Sequence, residues 1–233
     1  MSDAQILTLS CADKPGITAG VTSYLFQIGA NILEAQQFND EDSGRFFMRV
    51  EFDPRQTDAE AIRAGFGGKG AFLERELDKD VQMVRLNVMA LLKLTHLFGQ
   101  DMKARGRGKI LQTASTAGFL PGPYQNTYFA TKAFVVSHTL GLAHELKGTG
   151  VSVTALCPGP VATEFAQVAG FGGSKMFDGA ASAYKTALKA YAAMEKGKVI
   201  CISELQFALL IKVLMPFLPT SWTAAIIAKM QQS

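Results

Sequence analysis

The 233-residue chain predicts an α/β protein in two parts, and three observations lead there. The first sixty residues order their elements β-α-β-β-α about a turn cluster, which calls for antiparallel pairing. From about residue 78 long amphipathic helices alternate with short apolar strands, the pattern of a parallel sheet with helical crossovers. Charge changes at the same place: residues 1–60 hold ten Asp/Glu and four Lys/Arg, and the rest hold ten acids and nineteen bases.

In chain order, QILTLS (5–10) reads as a strand and PGITAGVTSYLFQIG (15–29) as a helix with Pro15 at its start. Asn31–Gln37 is extended, FNDEDSG (38–44) is a turn, and RFFMRVEFD (45–53) alternates apolar and polar as a half-buried strand does. TDAEAIRAGF (57–66) begins a helix, with Asp58 and Glu60 suited to its first turn. Residues 78–104 predict one long amphipathic helix, followed by the basic turn ARGRG and a buried-type strand KILQTAS (109–115). A helix from Tyr124 to Lys147, a strand and turn in GVSVTALCPG (150–159), a helix over 180–197 and a short strand KVICIS (198–203) follow. The glycine turns AGFGGK (64–69) and AGFGGSK (169–175) echo one another but are too short to make a repeat.

Composition excludes several classes. A net charge of +3 does not argue for nucleic acid. Cys11, Cys157 and Cys201 lie far apart without a CxxC spacing, so neither a disulfide framework nor a zinc site is expected, and a reducing cytoplasm fits best. His96, His138 and His144 have no metal-ligand spacing, so no metal is expected. Met1–Gln5 is polar, so no signal peptide is expected there. FALLIKVLMPFLPTSWTAAII (207–227) is oily, but Lys212, Pro216 and Pro219 interrupt it short of the ~20 apolar residues of a membrane span. A core-packed helix and tail is the first expectation for it, and contact with a membrane surface the second.

The chemistry concentrates between Asn87 and Thr163. Tyr128 and Lys132 stand four apart in YFATK and share a helix face. A tyrosine near pKa ~10 is a poor acid/base at neutral pH, and an ammonium one turn away should favour the phenolate. Ser115 ends KILQTAS, at the carboxyl end of a parallel strand where open α/β sheets build sites. CPGPVAT (157–163) is a proline-glycine turn able to pass closely over a flat ligand, and Asn87 is a poor helix former inside the long helix.

With these spacings, residues 64–233 resemble the short-chain dehydrogenase/reductase family. The resemblance implies the last strands of a Rossmann-like sheet and an oxidoreductase moving a hydride between NAD or NADP and a small-molecule carbonyl/alcohol substrate. It implies Tyr128 as general acid/base, Ser115 holding the substrate oxygen, Lys132 on the nicotinamide ribose and Asn87 anchoring a proton-relay water. Pro158, Gly159, Val161 and Thr163 would border the nicotinamide, and helices 78–104 and 124–147 would form a homodimer.

That family opens with a TGxxxGxG turn, whose glycines bring backbone N–H groups to the cofactor pyrophosphate. This chain has none: GFGGKG (65–70) matches GxGxxG only in letters, because helix rather than strand is expected before it. ILTLSCADKPGITAGV, GANILEAQQFND and SGRFFMRVEF instead resemble the ACT domain of formyltetrahydrofolate deformylases. Asp13, Pro15 and Gly16 would then sit in a loop binding a small metabolite such as an amino acid. The expected domains are thus an ACT-like segment, 1–63, and a reductase catalytic half, 64–233, joined as a chimera. A decayed glycine-rich turn at SCADKPGITAGV is the alternative for the N-terminal segment. The functional alternatives are a non-catalytic metabolite-binding protein and a recombined gene product without activity.

Overall fold

The computed structural model describes residues 5–12, 18, 21, 22, 25, 31–40, 45–53, 70–163 and 179–232, and the chain divides into two compact units, Met1–Ile62 and Arg63–Ser233. In the first, β1 (Gln5–Ala12), β2 (Asn31–Asp40) and β3 (Arg45–Asp53) form an antiparallel sheet in the order β1-β3-β2. Alternation places Met48, Val50 and Phe52 on one face, and Leu7 and Ile32 pack with them. Thr18, Val21, Thr22 and Leu25 are helical, at the i, i+3, i+4, i+7 spacing of a single face, and Leu25 is buried against that side of the sheet. Antiparallel pairing on both sides of β3 removes the decayed nucleotide-turn reading, which needs a parallel start.

The second unit is built on a parallel sheet ordered β4-β5-β8, of β4 (Gly108–Thr113), β5 (Val151–Cys157) and β8 (Ile200–Ile202). Two-residue strands β6 (Val161–Ala162) and β7 (Ala181–Ser182) pair beside it. The crossovers are α1 (Leu77–Val84), α2 (Leu91–Ala104), α3 (Asn126–Glu145) and α4 (Ala183–Glu195), with α5 (Leu205–Leu209) and α6 (Thr220–Gln232) closing the chain. The β5 core residues Ala155 and Cys157 pack against Val135 and Val136 of α3. A second cluster of Leu146, Val151 and Val153 fixes the far end of α3 to the sheet.

Three expectations change in detail. The helix expected over 78–104 is two α-helices joined by a π-helical turn, Arg85–Ala90, which contains Asn87. Amphipathic spacing continues through such a turn, so the pattern reads as one helix while the backbone carries an inserted residue. The strand expected to run to Ser115 ends at Thr113, because the Ser115 side chain accepts from the Ala117 N–H at 3.1 Å and starts a 3-10 turn, Thr116–Phe119. The segment over 38–44 enters β2, which extends to Asp40. The helices expected over 57–66 and through most of 15–29 lie outside the described residues. So do Asp13, Pro15, Gly16, all of GFGGKG except Gly70, and nearly all of the variable segment 165–180.

Candidate active site

Ser115 stands where β4 gives way to the 3-10 turn, and its hydroxyl lies 3.4 Å from the Pro158 carbonyl. The turn packs closely on α3: a Cβ added at Gly118 would lie 2.6 Å from the Lys132 carbonyl oxygen, so only glycine lets the two backbones approach. Behind it, buried Gln112 donates to Thr95 at 2.9 Å and accepts from Thr139 at 2.7 Å, tying α2, β4 and α3 together. Every polar atom in that relay has a partner, which makes it a rigid backing for the site.

On α3, Tyr128 and Lys132 face the Ser115 turn. The Tyr128 hydroxyl is hydrogen-bonded to the Ser115 side chain. The Lys132 Nζ lies 5.6 Å from the centre of the Tyr128 ring and donates to the Thr113 carbonyl at 3.0 Å. Burial pushes the Tyr128 phenol above its ordinary 10.0, and the Ser115 hydrogen bond acts in the opposite sense. Burial pushes the Lys132 ammonium down to about 8, opposed by the neighbouring Cys157 thiol. The expected lowering of the phenol by Lys132 is therefore not the net outcome. Desolvation dominates both groups and leaves Tyr128 a neutral hydroxyl at pH 7.

Asn87 Nδ2 donates to Thr131 Oγ1 at 3.1 Å, and Thr131 Oγ1 donates to the Tyr128 carbonyl at 2.8 Å. The π turn is thus stitched to the turn of α3 that carries Tyr128. The start of α3 has a second anchor. Arg75 forms an ion pair with Asp80 at 2.7 Å and donates to Asn126 Oδ1 at 2.7 Å and to the Tyr124 carbonyl at 3.2 Å. That carbonyl also accepts from the Gly70 N–H at 3.0 Å, while Tyr124 itself sits at φ 64. A non-glycine residue there is strained, and the two donors hold it.

Pro158 and Gly159 follow β5 directly. The Gly159 N–H donates to Glu204 Oε2 at 3.0 Å, which also accepts from the Ser203 hydroxyl at 2.8 Å. A Cβ at Gly159 would lie 2.3 Å from the Phe207 ring, so α5 rests on this turn. Val161 pairs with Ala181 across β6 and β7, and Thr163 is exposed with its hydroxyl 3.5 Å from the Val161 carbonyl. Ser115, Tyr128 and Lys132 are therefore gathered at one end of the parallel sheet, Asn87 joins them through Thr131, and the Pro158 carbonyl meets Ser115.

Sequence reasoning missed five participants. Thr113 acts through its carbonyl, which leaves no side-chain signal. Thr131 sits inside YFATK, where a mid-helix threonine was a usable cue. Arg75 and Asp80 lie five apart in a polar stretch, and Phe207 lies in the oily tail, each looking ordinary without its partner.

The parallel sheet with its crossover helices defines a Rossmann-like α/β unit, and the antiparallel N-terminal unit is of a different class. Residues 61–170 match the short chain dehydrogenase family, and residues 5–89 match the ACT domain. The chain is 37% identical over 94 residues to the very-long-chain 3-oxoacyl-CoA reductase of Anas platyrhynchos, covering 40% of this chain and 30% of that one. Over 48 residues it is 52% identical to the formyltetrahydrofolate deformylase of Bacillus subtilis, covering 20% of this chain and 16% of that protein. It therefore spans about a third or less of the length of these curated relatives. A short-chain dehydrogenase from Sphingobium yanoikuyae, solved in complex with NADPH, superposes with a TM-score of 0.57 at 23% identity, covering 77% of this chain and 70% of that one. At that identity the likeness concerns the fold. The C-terminal part of the chain is thus similar to the short-chain dehydrogenase/reductase family over residues 61–170, and its N-terminal part is similar to the ACT domain over residues 5–89.

Proposed function

We propose that the C-terminal unit is an oxidoreductase wall of short-chain dehydrogenase/reductase type, acting on a carbonyl/alcohol pair with NAD or NADP. The observation that carries this reading is the Tyr128 hydroxyl hydrogen-bonded to Ser115 with the Lys132 Nζ 5.6 Å from the same ring. A neutral, buried Tyr128 is suited to donate its proton to a carbonyl oxygen being reduced. Ser115 holds that oxygen by turning its one hydroxyl hydrogen to it from the Pro158 carbonyl, which lies 3.4 Å away. Lys132 has three donor positions, of which the Thr113 carbonyl takes one, so it fits the hydroxyls of a nicotinamide ribose. Asn87 holds the relay end of the wall through Thr131. Pro158, Gly159, Val161 and Thr163 line the side on which the flat ring lies. A bound nicotinamide supplies or accepts the hydride.

The fit is confined to the nicotinamide end. The described residues offer no glycine-rich strand-turn-helix for a pyrophosphate, and the segment in that place in the chain is of ACT type. The proposal accordingly includes weakened cofactor affinity. Its domain division is 1–63 and 64–233, its compartment is the cytoplasm, and its assembly is a homodimer. A second reading, small-metabolite binding by the N-terminal unit, is favoured by the ACT match over residues 5–89. Carbonyl reduction by NADPH or NADH across a panel of ketones tests the first. Turnover should fall at least a hundredfold in Tyr128→Phe with KM little changed. Equal turnover in both proteins would refute the role of Tyr128. No turnover in the unaltered chain, together with stabilisation by an amino acid, would transfer the function to the ACT unit.

A further inference from the structure

The tail expected to pack into the core does so along one side only. On α6, Thr223, Ile227 and Gln231 are buried, and Ile227 packs with Ala117 and Phe129 behind Tyr128. The adjacent stripe of Trp222, Ile226 and Met230, at i, i+4, i+8, is exposed, with Trp222 at 64%. The preceding helical stretch repeats the arrangement: Ile211 is buried while Leu205, Leu209 and Val213 are exposed. Phe217, in the 3-10 turn between them, is 83% exposed. Two consecutive helical segments thus each present an apolar stripe at helical spacing, which the scattered apolar residues of an ordinary surface do not.

Charge indicates what covers it. From Leu205 to Ser233 the chain has Lys212 and Lys229 and no Asp or Glu, and both lysines are exposed on these segments. The acid just before them, Glu204, is held inward on the Gly159 N–H and the Ser203 hydroxyl. A second copy docked on this face by a two-fold axis would bring lysines to an interface whose own segments supply no carboxylate. An anionic bilayer surface meets both features, since apolar side chains enter the acyl boundary while lysines reach phosphates at its rim. Among the described residues no helix is long and apolar enough to cross a membrane. The 13 residues of α6 extend only about 20 Å against a hydrocarbon core of about 30 Å. We propose that residues 205–232 lie on the surface of an anionic membrane, with Trp222 and Phe217 at the headgroup level.

Trp222 is the only tryptophan in the chain, so its fluorescence reports on this face alone. The full chain is titrated with phosphatidylcholine vesicles, with and without phosphatidylglycerol, and binding is followed by Trp222 emission and by co-sedimentation. The expected result is a blue shift and co-sedimentation with the anionic vesicles. Lys212→Gln and Lys229→Gln should each weaken partitioning roughly five-fold. Both lysines are exposed, so these variants fold, and circular dichroism checks it. Emission that stays at the position of a water-exposed indole with every vesicle overturns the proposal. So does binding to neutral and anionic vesicles alike that the lysine substitutions leave unchanged. Emission already blue before lipid, in a dimer that Ile226→Glu dissociates, also overturns it and assigns the face to a second copy. None of these outcomes depends on reductase activity.

Discussion

Replacing Lys132 by Met should stabilise the protein, because the ammonium is buried at 9% exposure and pushed from 10.5 down to about 8. That displacement corresponds to about 3 kcal/mol of unfavourable charge burial at pH 7. Loss of the 3.0 Å hydrogen bond to the Thr113 carbonyl offsets about 1 kcal/mol, leaving a net gain of about 2 kcal/mol. Methionine conserves most of the stem volume and leaves no cavity. The sign with pH follows from the depressed value. Between about pH 8 and 10.5 the unfolded chain holds a proton on Lys132 that the folded chain has lost. The stability of the parent therefore rises relative to Lys132→Met across that window, and the advantage of the variant shrinks.

Urea unfolding of both proteins at pH 7 and at pH 10 reads this double difference, in which the other titrating groups cancel. A variant less stable than the parent at pH 7, or an advantage of the same size at both pH values, would refute the reasoning. The outcome also bears on function. A lysine whose removal stabilises the fold is retained against the fold's interest, as expected of a binding residue.

Gly159→Ala forces its methyl against the Phe207 ring at 2.3 Å and should destabilise by about 1–3 kcal/mol. Phe207→Ala in the same chain should recover most of that loss, which a double-mutant cycle by thermal unfolding measures. Cys157 is fully buried and its thiol is pushed up to about 12, chiefly by burial, so it should resist thiol reagents in the folded protein. Peptide mass spectrometry after native and denatured labelling checks this, and native labelling of Cys157 would contradict its burial.

Periodicity made the alternating order of the C-terminal unit legible. β5 begins and ends within two residues of the span GVSVTALCPG, since a buried strand flanked by glycine turns has few alternative readings. β3 coincides with RFFMRVEFD because its alternation admits one register. Discrimination failed where side chains compete with the backbone: Ser115 ends β4 early, and the Asn87 turn is π rather than α. The tail was legible only in part, for another reason. Its hydrophobicity is real, but residues at i and at i+1 on α6 face opposite environments, and average hydropathy cannot separate Ile226 from Ile227. The Tyr128 and Lys132 pair was legible from spacing, whereas the direction of the Tyr128 displacement was not, because it depends on burial that only the packed structure reveals.

The central claim is that the wall of Ser115, Tyr128 and Lys132 binds a nicotinamide cofactor. Titration of the purified chain with NADH and NADPH, followed by cofactor fluorescence, tests it most directly. The account predicts saturable binding that Lys132→Ala abolishes, with an affinity below that of a protein having a pyrophosphate turn. No binding at millimolar cofactor, or binding that Lys132→Ala leaves unchanged, would contradict it.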